Sequence, residues 1–462
     1  MTVERVTQSS RCVPTSTTSS LLRSAASRGS EGGKLWYTEA DLRHTTEENL
    51  QSMSVVTHAK RGPLIRQLLV SLSRAVDSNL FVVNVLLLVH GLAVIVLGMA
   101  MGLDSYKYTA LADTLLSVRF NYFRFFGSES VRSFLVFKIG FITLVALTKA
   151  LFGVRWEAAL TVVNLLAGAC TGGLLVRLTR LVSGSRTAAW LSLALYAGSY
   201  DVIEWDRFVM TDATFLLPSF AVFYFATRAA AAESRATAKW IMAVVFFVIT
   251  VFCRPTGCLV GVALICCVLF SPKVTRHRSV SFWRTMTVVV LLAATTFVSV
   301  AWIVSQPSRW RSTFMAPAVR VLSTRAAAGE VVEGHTYQRS PQGVAEYFAL
   351  YVEKFARFFQ VATGGFSRIH NAYELLFFVP LYACAIAAVA WMAMQRGIRG
   401  PEIAVLVALI EILTFAAFHA MTIVDYIWRY RLPVLPHLIF LAAFGAAQMQ
   451  ERLRRSPSDV NA

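Results

Sequence analysis

"SFLVFKIGFITLVALTKALF", residues Ser133–Phe152, decides how this chain is read. The run is apolar and long enough for one membrane crossing. It also carries Lys138 and Lys149, and a lysine at membrane depth is expensive. Whether this run crosses fixes the orientation of everything that follows it.

Further apolar runs lie at 79–101, 156–178, 187–203, 209–229, 239–253, 256–271, 285–305, 373–394, 402–421 and 431–448. The 462 residues are 56% hydrophobic and only 15% charged, against about a quarter charged in soluble proteins. This is the composition of a polytopic membrane protein. The net charge of +18 falls between the apolar runs, where basic residues orient helices. That placement argues against a nucleic-acid-binding role. Cys170, Cys253, Cys258, Cys266, Cys267 and Cys384 lie in or beside the runs and act as small apolar residues. They imply neither a disulfide nor a metal site.

Charge sets the expected topology. Lys60, Arg61, Arg66 and Arg74 precede the first run and place the N-terminus on the cytoplasmic side. Arg177, Arg180 and Arg186 mark a second cytoplasmic loop, and Arg228, Arg235 and Lys239 a third. Lys273, Arg276, Arg278 and Arg284 mark another, followed by Arg396 and Arg399. Arg452, Arg454 and Arg455 keep the C-terminus inside. These markers agree only if 133–152 lies along the interface instead of crossing. The expected fold is therefore all-α, a transmembrane helical bundle of about ten spans with interfacial helices on the outer face. Residues 1–76 read as a mostly disordered cytoplasmic tail, 77–450 as the membrane domain with outer loops 102–155 and 306–372, and 451–462 as a cytoplasmic C-terminal tail. The first apolar run begins too late for a cleavable signal peptide and should act as an uncleaved anchor.

On this topology, polar residues gather at the outer boundary. Asp104, Asp201, Glu204, Asp206, Asp212 and Asp425 lie there, with Arg207, Arg254, Arg429 and Arg431. Asp104 stands where the chain leaves the first run. Asp104, Tyr108, Leu111 and Leu115 follow helical spacing and share a face, so an amphipathic helix is expected on the outer surface.

Four stretches carry a family resemblance. "LDSYKYTALADTLL" (103–116) resembles the first outer loop of the GT-C superfamily of glycosyltransferases. The branch is that of the protein O-mannosyltransferases and the bacterial aminoarabinose-to-lipid-A transferases. "RFVMTDATFLL" (207–217) resembles the start of a span that carries a second acid. "FCRPTG" (252–257) resembles a short turn between two spans, and "YRLPVLPHLIFLAAFG" (430–445) the final span of many bacterial members. One departure stands out. Many relatives carry Asp-Glu at the first site, and this chain has Asp104-Ser105, so its second acid would come from Asp212, Asp206 or Glu204.

The resemblance implies a membrane glycosyltransferase of the plasma (inner) membrane of a bacterium, with its active site outside. It would move a sugar from a polyprenyl-phosphate donor to an acceptor, with inversion. The acceptor is a protein, a lipid or a polysaccharide. Asp104 would serve as general base and Asp212 as the second acid. Arg254, Arg429, Arg431 and Lys138 are the candidates for the donor phosphate, since Arg offers phosphate a planar fork. Tyr106, Tyr108, Glu204, Asp206 and Arg207 are candidates for binding substrate. No tightly bound cofactor and no divalent metal is expected; the partners are membrane lipid and the lipid-linked donor.

Plainer readings stand beside these. Asp104 and Asp212 are also suitable helix caps. Arg254, Arg429 and Arg431 are also suitable headgroup anchors. Glu411 is either functional or a neutral interhelical hydrogen-bonder, whereas His90 and Asn164 read as interhelical hydrogen-bonders. The competing functions are a secondary transporter, disfavoured because no half-to-half repeat is visible, and a non-catalytic protein of the same fold.

Overall fold

The structure is a computed structural model that describes residues 74–128, 138–231, 236–270, 341, 343–363, 366–394, 402–421 and 428–454. Among these the elements are helices, with one isolated bridge between Ala100 and Phe208. The N-terminal tail to residue 73, the run at 285–305, the segment 306–340, Asp425 and the C-terminal eight residues lie outside the described residues.

Helix α1 (Asn79–Leu97) is capped by Ser78 and stops at Gly98, whose φ of 75° suits a residue without Cβ. Then come α2 (Leu103–Ser117), α3 (Tyr122–Gly127), α4 (Ile139–Phe152) and α5 (Trp156–Ser183). Next are α6 (Arg186–Ala197), α7 (Tyr200–Asp206), α8 (Thr211–Ala231) and α9 (Ala236–Cys253). A 3-10 turn at Pro255–Val260 leads into α10 (Gly261–Leu269). The later part holds α11 (Val344–Phe358), α12 (Arg368–Met394) and α13 (Glu402–Met421), a 3-10 turn at Trp428–Val434, and α14 (Leu435–Arg454).

Seven described helical stretches are long and apolar enough to cross a membrane. They are α1, the 45-residue stretch Ile139–Ser183, α8, α9, α12, the core of α13 and the stretch containing α14. Two of the ten expected spans differ. The run at 187–203 divides into α6 and α7 at Gly198 and Ser199, and Ser199 caps the second helix. The 12 residues of α6 cover only about 18 Å of a core about 30 Å thick. The run at 256–271 is a 3-10 turn followed by the nine residues of α10. The 14-residue α4, the described part of the run that opened the sequence reading, covers about 21 Å. It ends at Gly153 (φ 52°) and packs on both α2 and α5.

The core lies where α8 meets α5, α9 and α10, with Phe220 and Phe223 of α8 packed on His437 and Phe440 of α14. Most of α8 is buried, including Phe215, Phe220, Phe223 and Tyr224. Gly445 of α14 sits directly on the Cys384 carbonyl of α12, where a Cβ would collide with backbone. That close approach joins the two helices, as small residues do between membrane helices. A smaller cluster of Tyr108, Leu111, Leu115, Phe125, Phe141, Ile142 and Leu160 binds α2, α3 and α4 to α5. This second cluster fixes the helix that carries Asp104.

Candidate functional site

The site is built around the short crossing of residues 98–105 with residues 207–212. Ala100 N–H donates to the Arg207 carbonyl at 3.0 Å, and Val209 N–H donates to the Ala100 carbonyl at 3.2 Å. The buried Ser105 hydroxyl donates to the Val209 carbonyl at 2.8 Å and accepts from Gly102 N–H at 2.9 Å. Asn164 of α5 donates to the Phe208 carbonyl at 2.9 Å. The start of α2 is thus tied to the segment that leads into α8, and Asp104 and Asp212 are held in one region.

Asp104 is a quarter exposed, with Arg429 at 3.9 Å and Lys107 at 3.7 Å. Asp212, in the first turn of α8, is buried and accepts from the Arg254 guanidinium at 2.6 Å. Arg254 is placed by its own corner. It is extended (φ −157°, ψ 134°) before Pro255, as the residue before proline prefers. Gly257 then packs so closely on the Thr250 carbonyl that a Cβ would come within 2.5 Å. A larger residue there would open the corner and displace the guanidinium.

Lys138, just before α4, donates to the Tyr108 hydroxyl of α2 and lies over its ring. Phe141 packs edge-on against the same tyrosine. Burial lowers the Lys138 pKa to about 7; the nearby Arg254 lowers it too, while Asp212 and Asp104 pull the other way. Burial raises the Tyr108 phenol well above its ordinary value, and the Asp104 charge adds to this. Asp104, Tyr108, Lys138, Asp212, Arg254 and Arg429 therefore form one electrostatic neighbourhood, with two carboxylates among three cations from separate parts of the chain.

The other sequence candidates lie apart. Arg431 is fully buried and bonds Glu374 at 2.9 Å, Asp201 at 3.3 Å and the Gln360 carbonyl at 3.0 Å, over the Phe378 ring. Its contacts join α7, α12 and the Trp428–Val434 turn. Glu204 and Arg207 pair with each other at 2.7 Å, and Arg207 also reaches the carbonyls of Leu97 and Gly98 that end α1. Asp206 is buried against His90 of α1 at 2.8 Å. Burial raises its carboxyl pKa, and the hydrogen bond from His90 opposes this. Tyr106 is 63% exposed. Deeper in the bundle, Glu411 lies 3.2 Å from His437.

Two contributors escaped the sequence reading. Ser105 counted only as the missing half of an Asp-Glu pair, although a serine at the third position of a helix can reach back to backbone. Glu374 sits inside an apolar run, where an acid signals a buried partner. Among the described residues no group of three or more His, Cys, Asp or Glu is placed to hold a metal ion.

Residues 139–302, about a third of the chain, match the family model of the dolichyl-phosphate-mannose-protein mannosyltransferases. The match contains Asp212 and Arg254 with their motifs, so the resemblance to the GT-C branch holds over that stretch. No curated protein matches the chain. Among solved structures it is similar to ArnT from Cupriavidus metallidurans, crystallised with undecaprenyl phosphate, at 18% identity and a TM-score of 0.49. The alignment covers 83% of this chain and 61% of that one, so the chain spans about three fifths of that protein's length.

Proposed function

We propose that the protein is an integral membrane glycosyltransferase that takes its sugar from a polyprenyl-phosphate donor. One observation carries the reading: an accessible carboxylate, Asp104, shares its surroundings with the buried Asp212–Arg254 pair, Arg429 and Lys138. The family match over residues 139–302 supports it.

The chemistry assigns the parts. As the acceptor hydroxyl or amine attacks the anomeric carbon, Asp104 takes its proton, a contribution of about 10²–10⁴-fold in rate. The sugar C–O bond breaks and its electron pair passes to the donor's phosphate oxygen. Base and leaving group lie on opposite faces of the sugar, so the product is inverted, by the logic that separates inverting from retaining glycosidases. Arg254, Arg429 and Lys138 stabilise the phosphate as its charge grows. Asp212 is the second acid: it holds Arg254 in register and orients the sugar or the acceptor. Arg431 supports the turn that carries Arg429. Catalysis needs no divalent metal. Both termini face the cytoplasm of a bacterial plasma membrane, with the site on the outer face and a protein, lipid or polysaccharide as acceptor.

The test is transfer from a panel of radiolabelled polyprenyl-phosphate sugars by purified wild type and Asp104→Asn. Transfer by wild type that is lost in the variant, with donor binding intact, is expected. A well-folded wild type that neither binds nor turns over any donor, but takes up solute into proteoliposomes, would replace this reading with a transporter.

A further inference from the structure

Three charged residues meet at the end of α1 that lies far from the candidate site. Asp77 precedes α1, and its carboxylate accepts from two arginines. Arg180 Nε donates to one oxygen at 3.2 Å and Arg186 Nε to the other at 2.9 Å. Arg186 Nη2 lies 2.9 Å from that second oxygen as well. The two arginines flank one tight turn. Gly184, with φ 64°, ends α5, and Ser185 caps α6 by accepting from Ala188 N–H at 3.3 Å. Arg180 Nη1 donates back to the Gly184 carbonyl. Val76 and Val182, on either side of the cluster in sequence, are buried in the core, so the backbone beneath it is fixed.

The cluster sits at the opposite membrane boundary. Helix α1 has 19 residues, about 28 Å of helix, against a bilayer core about 30 Å thick. One end leads to Ala100 and Asp104, and the other starts beside Asp77. The side chains of Asp77, Arg180 and Arg186 keep 36%, 16% and 28% of their surface open. Four residues on from Asp77 and from Arg186, Phe81 and Trp190 meet edge to face at 5.9 Å. Further along α1, Leu88 is 63% exposed. From the boundary inward the order is charge, aromatic ring, aliphatic side chain, which matches the headgroup, the interfacial zone and the chains of a phospholipid.

We propose that Arg180 and Arg186 bind the phosphate of an anionic membrane phospholipid between them. Two guanidiniums against one carboxylate leave one positive charge over, and a phosphodiester headgroup carries one negative charge. A guanidinium has N–H donors on every nitrogen. Among the described residues Arg180 uses Nε and Nη1, and Arg186 uses Nε and Nη2. Arg180 Nη2 and Arg186 Nη1 are left for an acceptor, and phosphate oxygens suit them. Arg74 and Arg177, both exposed, stand three residues before Asp77 and Arg180 and add to the positive potential. The position at the end of two long apolar helices selects a lipid over a free anion. On the proposed orientation this lipid belongs to the cytoplasmic leaflet. Its binding is independent of the proposed sugar transfer.

The test is native mass spectrometry of the purified full chain, titrated with phosphatidylglycerol or phosphatidylcholine. Wild type should bind phosphatidylglycerol about five-fold tighter or more. Arg186→Gln should weaken phosphatidylglycerol binding by about five- to ten-fold, the worth of one basic residue at a charged surface. Arg452→Gln, the same charge change on an exposed residue of α14, should leave it unchanged. Inorganic phosphate should not displace the lipid. Equal affinity of wild type for the two lipids, wild-type binding by Arg186→Gln, an equal loss in Arg452→Gln, or complete displacement by inorganic phosphate would each overturn the inference. Should Arg186→Gln not fold, wild type answers in its place. A phosphatidylglycerol with a photoreactive headgroup should crosslink within residues 177–190 and be competed by phosphatidylglycerol but not by phosphatidylcholine; crosslinks confined to other segments, or equal competition, would overturn the inference.

Discussion

The Asp212–Arg254 pair offers the sharpest test of how the site is held. Its oxygen and nitrogen are 2.6 Å apart, and the two side chains are 2% and 8% exposed. At an effective dielectric of about 20, unit charges at 2.6 Å attract by about 6 kcal/mol. Desolvation of both ions offsets much of that, so the pair as a whole is worth little to stability. Losing one partner is different, because the other is left charged and buried. Asp212→Leu or Arg254→Met alone should therefore destabilise by about 3–5 kcal/mol. The double variant Asp212→Leu/Arg254→Met should cost far less than the two singles added together, because no charge is stranded. Reversible unfolding in mixed micelles measures the cycle, and sugar transfer is assayed on the same samples. The double variant is expected to fold yet transfer nothing, since Arg254 no longer meets the phosphate. Single variants that each cost less than about 1 kcal/mol, the range of exposed pairs, would refute the reasoning. So would a double variant whose cost equals the sum of the singles.

Three other outcomes follow from the same geometry. Asp104→Asn should lower transfer by about 10²–10⁴-fold while the donor dissociation constant, measured by equilibrium binding, is unchanged. Lys138 has a folded pKa of about 7 against an ordinary 10.5, so its charge is present below about pH 7 and lost as pH rises through it. Donor affinity should fall over that window, and Lys138→Met should remove that step from the pH profile of binding. Between pH 7 and 10.5 the unfolded chain binds the lysine proton that the folded chain has released, so this residue makes folding stability rise with pH there. Gly445→Ala would press a methyl onto the Cys384 carbonyl and should destabilise the bundle by about 1–3 kcal/mol. Gly91→Ala, with nothing within 4 Å, should stay within about 0.5 kcal/mol; thermal unfolding of the two variants checks the contrast.

Much of the fold was legible because lipid forces the backbone to satisfy itself, and long apolar runs then have to be helices. The runs at 79–101, 209–229, 239–253, 373–394 and 402–421 each have a long described helix, α1, α8, α9, α12 and α13. The runs at 187–203 and 256–271 hold shorter helices than their apolar length suggested, α6 and α7 in the first and a 3-10 turn with α10 in the second. Ser199 caps a new helix inside the first run, and Pro255 opens the 3-10 turn with which the second begins, local signals that a hydropathy window averages away. Arg429 and Arg431 were equal candidates in sequence. In a 3-10 turn each residue advances about 120°, so residues two apart point in different directions. One arginine faces Asp104 and the other faces Asp201 and Glu374. That division depends on contacts across 57 and 230 positions, which no local pattern reports. Asp201 shows the cost of the arrangement: burial raises its carboxyl pKa, and Arg431 opposes the rise.

The Asp104-Ser105 departure also takes on a physical meaning. A glutamate at position 105 would put a carboxylate where the structure has a fully buried hydroxyl, among backbone groups. The serine instead links two backbones, with Gly102 N–H on one side and the Val209 carbonyl on the other. Val209 lies three residues before Asp212. The residue that is not an acid therefore fixes one acid relative to the other across 104 positions of sequence. The second carboxylate need not follow Asp104 in the chain, provided that the crossing at Ala100 and Phe208 is rigid. Asn164 and the Asp206–His90 pair brace that crossing from α5 and α1. Asn164 and His90 make the interhelical hydrogen bonds expected of them, and Asp206, a substrate-binding candidate in sequence, is the partner of His90. Asp206 and His90 are closed off together, whereas Asp104 keeps a quarter of its side chain open.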